Sequence, residues 1–504
     1  MKMMTKRCIQ GGLILVVLLA LGGIIKKQFF AGSHKSGSLA VTQGEIKKMM
    51  GIKSTSPEKL STYQTVSGVL NIAQWVTKQG VRVYFVKINT LPIVDVELGF
   101  DAGAARGAGG LAYLTNTLIA EGTAQLSADQ VAENFDNVGA LFQTDSQRDM
   151  AIVHLRSLST PEQLIPAVQT LGAILSQPLF PEGGFKREKQ NALSRLKRQA
   201  QQPQSVASRA LYTALYKDQP YGNWVLGDEA SLAAITLEEV RNFYKKYYTA
   251  KNAVVTIVGD LSLEDADAIA QAVSNNLPEG EKAPVLAPVT PLASKVVQKI
   301  DFPSAQTHIV MGQLGLKQSD PDYYALMVGN HILGGNGSVT RIFNTIRGEH
   351  GLAYSAYSQF MPMRELGPFV LGCQTRNDQA EKSLSLMQKV LTDFVTQGPT
   401  DKELDQAKKN LLGSYALRFD NNLSICREVG SMAFYGLPFD YFNQFKPTVA
   451  AVTLDQIKQA FQKRISDEKL VIVTVGGSPD KLVVNEPPAA AVPQGSVIPG
   501  SMQH

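Results

Sequence analysis

The chain has 504 residues, of which 44% are hydrophobic and 18% charged, and its formal net charge is +5. This composition excludes an intrinsically disordered chain, and the length suits roughly two to four domains. The small net charge and the lack of a basic cluster with interleaved aromatic residues argue against nucleic-acid binding. Three cysteines (Cys8, Cys373 and Cys426) are too few for a disulfide framework. One bond between Cys373 and Cys426 is possible, but two buried free thiols are the favoured interpretation.

The amino terminus joins a basic leader, residues 1–7, to an uncharged run, residues 8–25. This run is short for a membrane-spanning helix and long for the core of a signal peptide. Because no good cleavage site follows it, we favour an uncleaved membrane anchor within residues 1–32 over a cleaved signal. We therefore expect the body in a bacterial periplasm, tethered to the inner membrane by the polar residues 33–62, or free there if the segment is cleaved.

The body mixes strand and helix patterns. Alternation of apolar residues predicts strands at residues 81–86 and 93–100, and amphipathic patterns predict helices at residues 164–176 and 384–394. This mixture favours an α+β fold, in which helices cover one face of a largely antiparallel sheet.

A segment of the first half recurs in the second half at a constant offset of 217 residues. Residues 235–240 match residues 452–457, and residues 254–259 match residues 471–476. Each copy has the pattern of a capped helix, a turn and a buried strand, so we predict two homologous domains and not a short-period repeat.

Proline-rich residues 278–294 cannot form a regular element and are predicted to link the two domains. The first domain then spans residues 63–277 and the second spans residues 295–484. Residues 485–504 are rich in Pro, Ala, Gly and Ser without periodicity, which predicts a disordered tail.

Three motifs of the first half stand in a recognisable order. A glycine-rich stretch begins with Asp101-Ala102-Gly103-Ala104 and leads into the segment Gly110-Leu111-Ala112-Tyr113-Leu114-Thr115-Asn116-Thr117-Leu118. About a hundred residues later come Pro220-Tyr221-Gly222 and Gly227. Together these motifs resemble the zinc helix and flanking signatures of the M16 metallopeptidases, the family of pitrilysin, insulinase and the mitochondrial processing peptidase. The resemblance covers almost the whole body. It implies a metallohydrolase fold like that of LuxS and the processing peptidase, with two homologous domains in a clamshell arrangement.

The catalytic residues of that family are missing. Its zinc helix carries H-x-x-E-H, in which two histidines bind zinc and the glutamate activates water. Here these positions hold Tyr113, Asn116 and Thr117, and the position of the third ligand holds Arg195. A phenol, an amide and a hydroxyl are poor zinc ligands, and a guanidinium repels the cation. We therefore expect this chain to bind no metal.

The second half resembles the family's carboxyl-terminal R/Y motif, which begins here at Gly334 and Gly335 and places Arg347 and Tyr354 at the motif positions. The resemblance implies that these two side chains bind substrate and donate hydrogen bonds to the scissile carbonyl oxygen as negative charge develops. The glycines would let an extended peptide approach and add as an edge strand.

The favoured hypothesis is a non-catalytic subunit of an M16 zinc peptidase. It would supply Arg347 and Tyr354 in trans to the zinc site of a homologue, in a heterodimer that cleaves unfolded peptides; a homodimer is a further possibility. One alternative is a scaffold protein without a role in hydrolysis. Another is a hydrolase with a new site, against which the sequence offers neither a G-x-S-x-G motif nor a plausible Cys/His pair.

Overall fold

The computed structural model describes residues 63–335 and 337–477, together with Ile46, Lys48 and Met50. The predicted anchor at residues 1–32, nearly all of the tether and the tail at residues 485–504 lie outside the described residues. Within the described part, no helix is both long and apolar enough to cross a membrane. The described cysteines, Cys373 and Cys426, are both buried free thiols.

The strands of the described residues form two sheets. Their bounds are β1 Gln64–Val66, β2 Ile72–Val76, β3 Arg82–Lys87, β4 Ile93–Phe100, β5 Leu141–Ser146, β6 Ala151–Leu158, β7 Ala253–Gly259, β8 Val296–Phe302, β9 Gln306–Leu314, β10 Ala353–Phe360, β11 Pro368–Arg376 and β12 Val471–Gly477. The first sheet has the order β1-β2-β3-β7-β4-β6-β5, and the second has the order β10-β11-β9-β12-β8. Neighbouring strands are antiparallel except for the pairs β3–β7 and β8–β12, which are parallel.

The helices surround these sheets. Their bounds are α1 Leu111–Leu118, α2 Ala128–Asp136, α3 Pro161–Ser176, α4 Glu182–Ala200, α5 Pro203–Tyr216, α6 Glu229–Ala234, α7 Leu237–Tyr247, α8 Leu263–Asn275, α9 Tyr323–Leu333, α10 Arg341–Phe343, α11 Ala380–Gln397, α12 Asp401–Ser414, α13 Asn422–Tyr435, α14 Tyr441–Ala451 and α15 Leu454–Arg464. The predicted α+β class is confirmed, and the predicted strand at residues 93–100 coincides with β4.

The two halves repeat one another. Helices α7 and α15 occupy the matched segments of the sequence, and each begins with a capping box, at Thr236 and Thr453 respectively. The five strands β3-β7-β4-β6-β5 of the first sheet correspond in order and direction to β8-β12-β9-β11-β10 of the second. The prediction of two homologous domains is therefore confirmed. Strands β1 and β2 are an addition to the first sheet.

Each half covers the sheet of the other with one helix. Helix α5 of the first half packs on β9 and β12, where Leu211 and Leu215 meet Val310 and Val473. Helix α13 of the second half packs on β4 and β7 of the first sheet. Each sheet therefore buries apolar surface against a helix from the other domain, in clusters that contain residues of both halves.

The carboxylate of Asp149 links the two halves. It lies in the turn between β5 and β6, is 3% exposed, and accepts a hydrogen bond from the hydroxyl of Tyr221 in the first half. From the second half it accepts the backbone N–H of Arg364 at 2.8 Å and the hydroxyl of Tyr435 at 3.0 Å. Burial raises the pKa of this carboxyl above its usual value, and the three hydrogen bonds oppose that shift.

A second buried acid lies beneath α13. Glu97 of β4 is almost fully buried, and burial raises its pKa from the usual 4.5 to about 8, because loss of water outweighs the attraction of Arg427. Its neighbour Asp95 behaves differently. Asp95 accepts hydrogen bonds from His154 at 2.8 Å and from Arg156 at 2.9 Å, and its pKa is lowered. His154 therefore belongs to a buried polar network.

We predict that Asp149→Ala lowers the free energy of unfolding by about 2–4 kcal/mol, since it leaves two buried hydroxyls and a buried N–H without their acceptor. Urea unfolding of the full-length chain, followed by tryptophan fluorescence, measures the change. The matched control is Asp378→Ala, which removes an exposed carboxylate and should change stability by less than about 0.5 kcal/mol. Equal effects of the two substitutions would contradict the linking role of Asp149.

We also predict that Glu97 makes stability depend on pH. Because its folded pKa lies above the unfolded value of 4.5, its contribution is complete below pH 4.5 and is lost as the pH rises through about 8. The loss is on the order of 4 kcal/mol. In Glu97→Gln, unfolding free energies measured across this range should vary less than in the wild type, whereas the exposed control Glu381→Gln should retain the wild-type slope. An unchanged slope in Glu97→Gln would show that the carboxyl is ionised in the fold.

Candidate functional site

Helix α1 is held in place by close glycine contacts. Gly227 has a φ of +72°, and a Cβ there would lie 2.4 Å from the carbonyl oxygen of Gly109, just before the helix. The backbone can approach this closely only because neither residue has a side chain. The close approach of these two motif glycines thus fixes the start of α1.

Tyr113 and Arg195 lie together, as their assignment to neighbouring positions of one zinc site implies. The guanidinium of Arg195, on α4, donates a hydrogen bond from Nη1 to the Tyr113 hydroxyl at 2.9 Å. Its central carbon lies 5.3 Å from the centre of the Tyr113 ring, within the range of a cation–π contact. A positive charge therefore occupies the region where two of the ligands would meet a metal.

Asn116, the predicted counterpart of the family's general base, is fully buried. Its Nδ2 donates to the carbonyl oxygens of Asp145 at 2.6 Å and Ile152 at 3.2 Å. Its Oδ1 accepts the hydroxyl of Tyr248 at 3.0 Å. Because the two carbonyls can only accept, this position requires a donor. An ionised glutamate in this environment would place its carboxylate against two carbonyl oxygens, which is unfavourable because neither side can donate a hydrogen bond.

These residues do not fit the zinc ion that the resemblance implies. Thr117, the remaining ligand position, is a half-buried threonine. Over the described ranges, no group of three His, Cys, Asp or Glu side chains could hold a metal ion. At the predicted zinc positions the α1 region thus has a cation and a hydrogen-bonded amide.

Arg347 and Tyr354 form a preorganised pair on the surface of the second half. Arg347 donates from Nη1 to the backbone carbonyl of Tyr354 at 3.2 Å, and its guanidinium lies 4.5 Å from the centre of the Tyr354 ring. Phe343, on α10, has its ring centre 5.1 Å from the same guanidinium. Tyr354 is 82% exposed. Both side chains therefore present donors to solvent in a fixed geometry.

Two backbone irregularities create this pair. Arg347 lies in a turn of π-helix at Asn344–Glu349, and the pairing of β10 with β11 shifts between Ala353 and Ala356. Such a bulge turns a side chain away from its sheet, and both features are often found at functional sites. Neither could be read from the sequence pattern, and the contribution of Phe343 was also missed.

The two glycines of the motif make contacts within the chain. The carbonyl of Gly334 accepts the N–H of Ser358 on β10 at 3.1 Å, and a Cβ on Gly334 would lie 2.4 Å from that nitrogen. Gly334 is buried and Gly335 is exposed. Gly334 therefore allows the end of α9 to approach the edge strand, and this part of the edge already has a partner.

The two groups of candidate residues remain separate. Among the described residues, no hydrogen bond, ion pair or ring contact links Tyr113, Asn116 or Arg195 to Arg347 or Tyr354. His350, which follows the π-helix, is exposed.

Known proteins share this architecture. Residues 83–229 match the family model described as Insulinase (Peptidase family M16), and residues 234–411 match the model described as Peptidase M16 inactive domain. A crystal structure of a peptidase M16 inactive domain from Pseudomonas fluorescens is 38% identical, covers 81% of this chain and 98% of its own, and has a TM-score of 0.78. The chain belongs to the M16 peptidase family.

Two curated relatives illustrate the range of this M16 family. A non-peptidase homolog, YmxG, of Helicobacter pylori is 27% identical, and the match covers 78% of this chain and 89% of that protein. The mitochondrial-processing peptidase subunit beta of Blastocladiella emersonii is 23% identical over 73% of this chain and 80% of that subunit. This chain has the M16 fold, and the part of it that the structure describes lacks the side chains of a zinc site.

We predict that Asn116→Asp destabilises the fold by about 2–4 kcal/mol, because a buried carboxylate would face two carbonyl oxygens. Thermal or urea unfolding of the full-length variant measures this change. Asn137→Asp, at an exposed position, should stay within about 0.5 kcal/mol of the wild type. Wild-type stability for Asn116→Asp would mean that an acid is tolerated at this position.

Proposed function

We propose that this chain is the non-catalytic subunit of a zinc peptidase complex, in which it supplies Arg347 and Tyr354 to the zinc site of an M16 homologue. The substrates would be unfolded peptides. The observation that carries the proposal is the contrast between its two motif regions. In the α1 region, the side chains of Asn116 and Arg195 bond to groups of the same domain. In the R/Y region, Tyr354 is exposed and Arg347 packs against it.

The α1 region argues against hydrolysis by this chain alone. Arg195 would repel a zinc ion, and Asn116 is fixed as a donor by two backbone carbonyls. In this proposal the chain binds no cofactor, and zinc is held by the partner.

The R/Y region supports a role in trans. A guanidinium and a phenol that are held against one another need little reordering when they donate to a carbonyl oxygen that gains negative charge. Their exposure leaves both accessible to a second subunit. The relative named as a subunit of mitochondrial-processing peptidase is consistent with an assembly of this kind.

The proposal places the complex in a bacterial periplasm, with the amino-terminal segment as its membrane anchor. A clamshell of two different M16 chains would then enclose the peptide, with one motif region contributed by each. The alternative is a scaffold protein with the same fold and no part in hydrolysis.

The deciding experiment co-expresses this chain with a zinc-bearing M16 homologue from the same organism and measures peptide cleavage by each chain and by the pair. We expect activity from the pair only, and its loss on chelation. Arg347→Ala should lower kcat/KM of the pair by about 100-fold, the effect of removing one donor to a developing oxyanion. Tyr354→Phe should lower it in the same direction.

The control is Arg376→Ala, which removes an exposed arginine of β11 that pairs with Asp378. It should leave cleavage unchanged. Full activity of the pair with Arg347→Ala would favour the scaffold function, and chelator-resistant activity of this chain alone would overturn both interpretations.

A further inference from the structure

The two sheets differ at one edge. In the first half, the outer side of β3 is paired with β2, which runs antiparallel to it. In the second half, β8 corresponds to β3, and it ends the order of its sheet. Among the strands of the described residues, β8 therefore lacks the neighbour that its counterpart has.

The outer backbone groups of β8 belong to its exposed residues. The N–H of Val296 donates to the carbonyl of Leu470, towards β12, so alternate residues from Val296 face that strand. Val297, Lys299 and Asp301 consequently direct their N–H and C=O groups outwards. All three are exposed, and Val297 is 67% exposed. No described residue makes a hydrogen bond to this edge.

We propose that two copies of this chain associate by antiparallel pairing of their β8 strands, with the twofold axis at Ile300. The pairing would join the two five-stranded sheets into one continuous sheet. Because a twofold axis makes the interface self-complementary, each contact occurs twice.

The charges of β8 select this register. With the axis at Ile300, Lys299 of each copy lies opposite Asp301 of the other, in a pair that exchanges two backbone hydrogen bonds. Opposite charges at such positions stabilise a sheet, whereas like charges destabilise it. An axis at Lys299 would instead oppose two lysines, and an axis at Gln298 would oppose Lys299 with Val297. Neither Lys299 nor Asp301 has an ion-pair partner within the described part of the chain.

A lysine on an edge strand commonly prevents edge-to-edge association. In β8, however, Asp301 lies two residues after Lys299 on the same face. In the proposed pairing, Asp301 of one copy therefore lies opposite Lys299 of the other. The edge is thus unfavourable for pairing with an arbitrary strand and complementary to itself.

The test is a charge exchange in the full-length chain, purified in a mild detergent. Sedimentation velocity over a concentration series should show reversible dimers of the wild type. Lys299→Asp and Asp301→Lys should each weaken association at least about tenfold, because each creates two like-charge pairs. The double variant Lys299→Asp/Asp301→Lys should restore dimers. Lys382→Asp, at an exposed position on α11, controls for the change in net charge.

Hydrogen exchange gives a second measurement. The amides of Lys299 and Asp301 should become protected as the concentration rises, while that of Ile300, already directed at β12, should not change. A monomer at all concentrations, single variants that associate like the wild type, or a double variant that fails to recover would each overturn the proposal. A fourth result would also overturn it: amides of Lys299 and Asp301 that are protected in the full-length monomer but exchange freely in a chain ending at Gly477. The carboxyl-terminal tail would then be the segment that pairs with the edge.

Discussion

The buried carboxylate of Asp149 is the interaction on which the arrangement of the two halves depends. It has one donor from its own domain, Tyr221, and two from the other, the N–H of Arg364 and the hydroxyl of Tyr435. A carboxyl taken out of water needs such donors, and these reach it only when both domains are docked. The exchange of α5 and α13 supplies the apolar area of the interface, and Asp149 fixes its alignment. The Pro-Tyr-Gly motif around Tyr221 therefore serves domain docking.

The position of α1 is likewise set by packing contacts, and these do not depend on catalytic side chains. The start of α1 is fixed by the contact between Gly109 and Gly227, which involves no catalytic side chain. Asn116 donates to two backbone carbonyls, and Arg195 donates to Tyr113. These contacts now stabilise the region in a form that disfavours a cation. Restoring the histidines alone would leave Arg195 beside the metal and an amide in place of the base.

The sequence predicted the parts of the fold that depend on periodicity and repetition. Strand β4 follows from alternating residues, and α7 and α15 follow from matched capping residues. The exchange of helices between domains could not be predicted, because an amphipathic pattern shows that a helix has a buried face and not which sheet covers it. The π-helix at Asn344–Glu349 and the adjacent shift in β10 were also missed, since both depend on backbone hydrogen bonding that residue types do not specify.

The duplicated halves differ at one sheet edge and at their motif regions. In the first half, β2 covers the edge of β3, and the motif region at α1 is closed by Arg195 and Asn116. In the second half, the edge at β8 has no neighbour among the described strands, and the motif region ends in the exposed Tyr354. Exposed polar groups with fixed geometry lose little entropy on binding, so they favour association more than flexible ones do. Both accessible features therefore lie in the second half, whereas the first half covers the corresponding edge and motif region with its own residues.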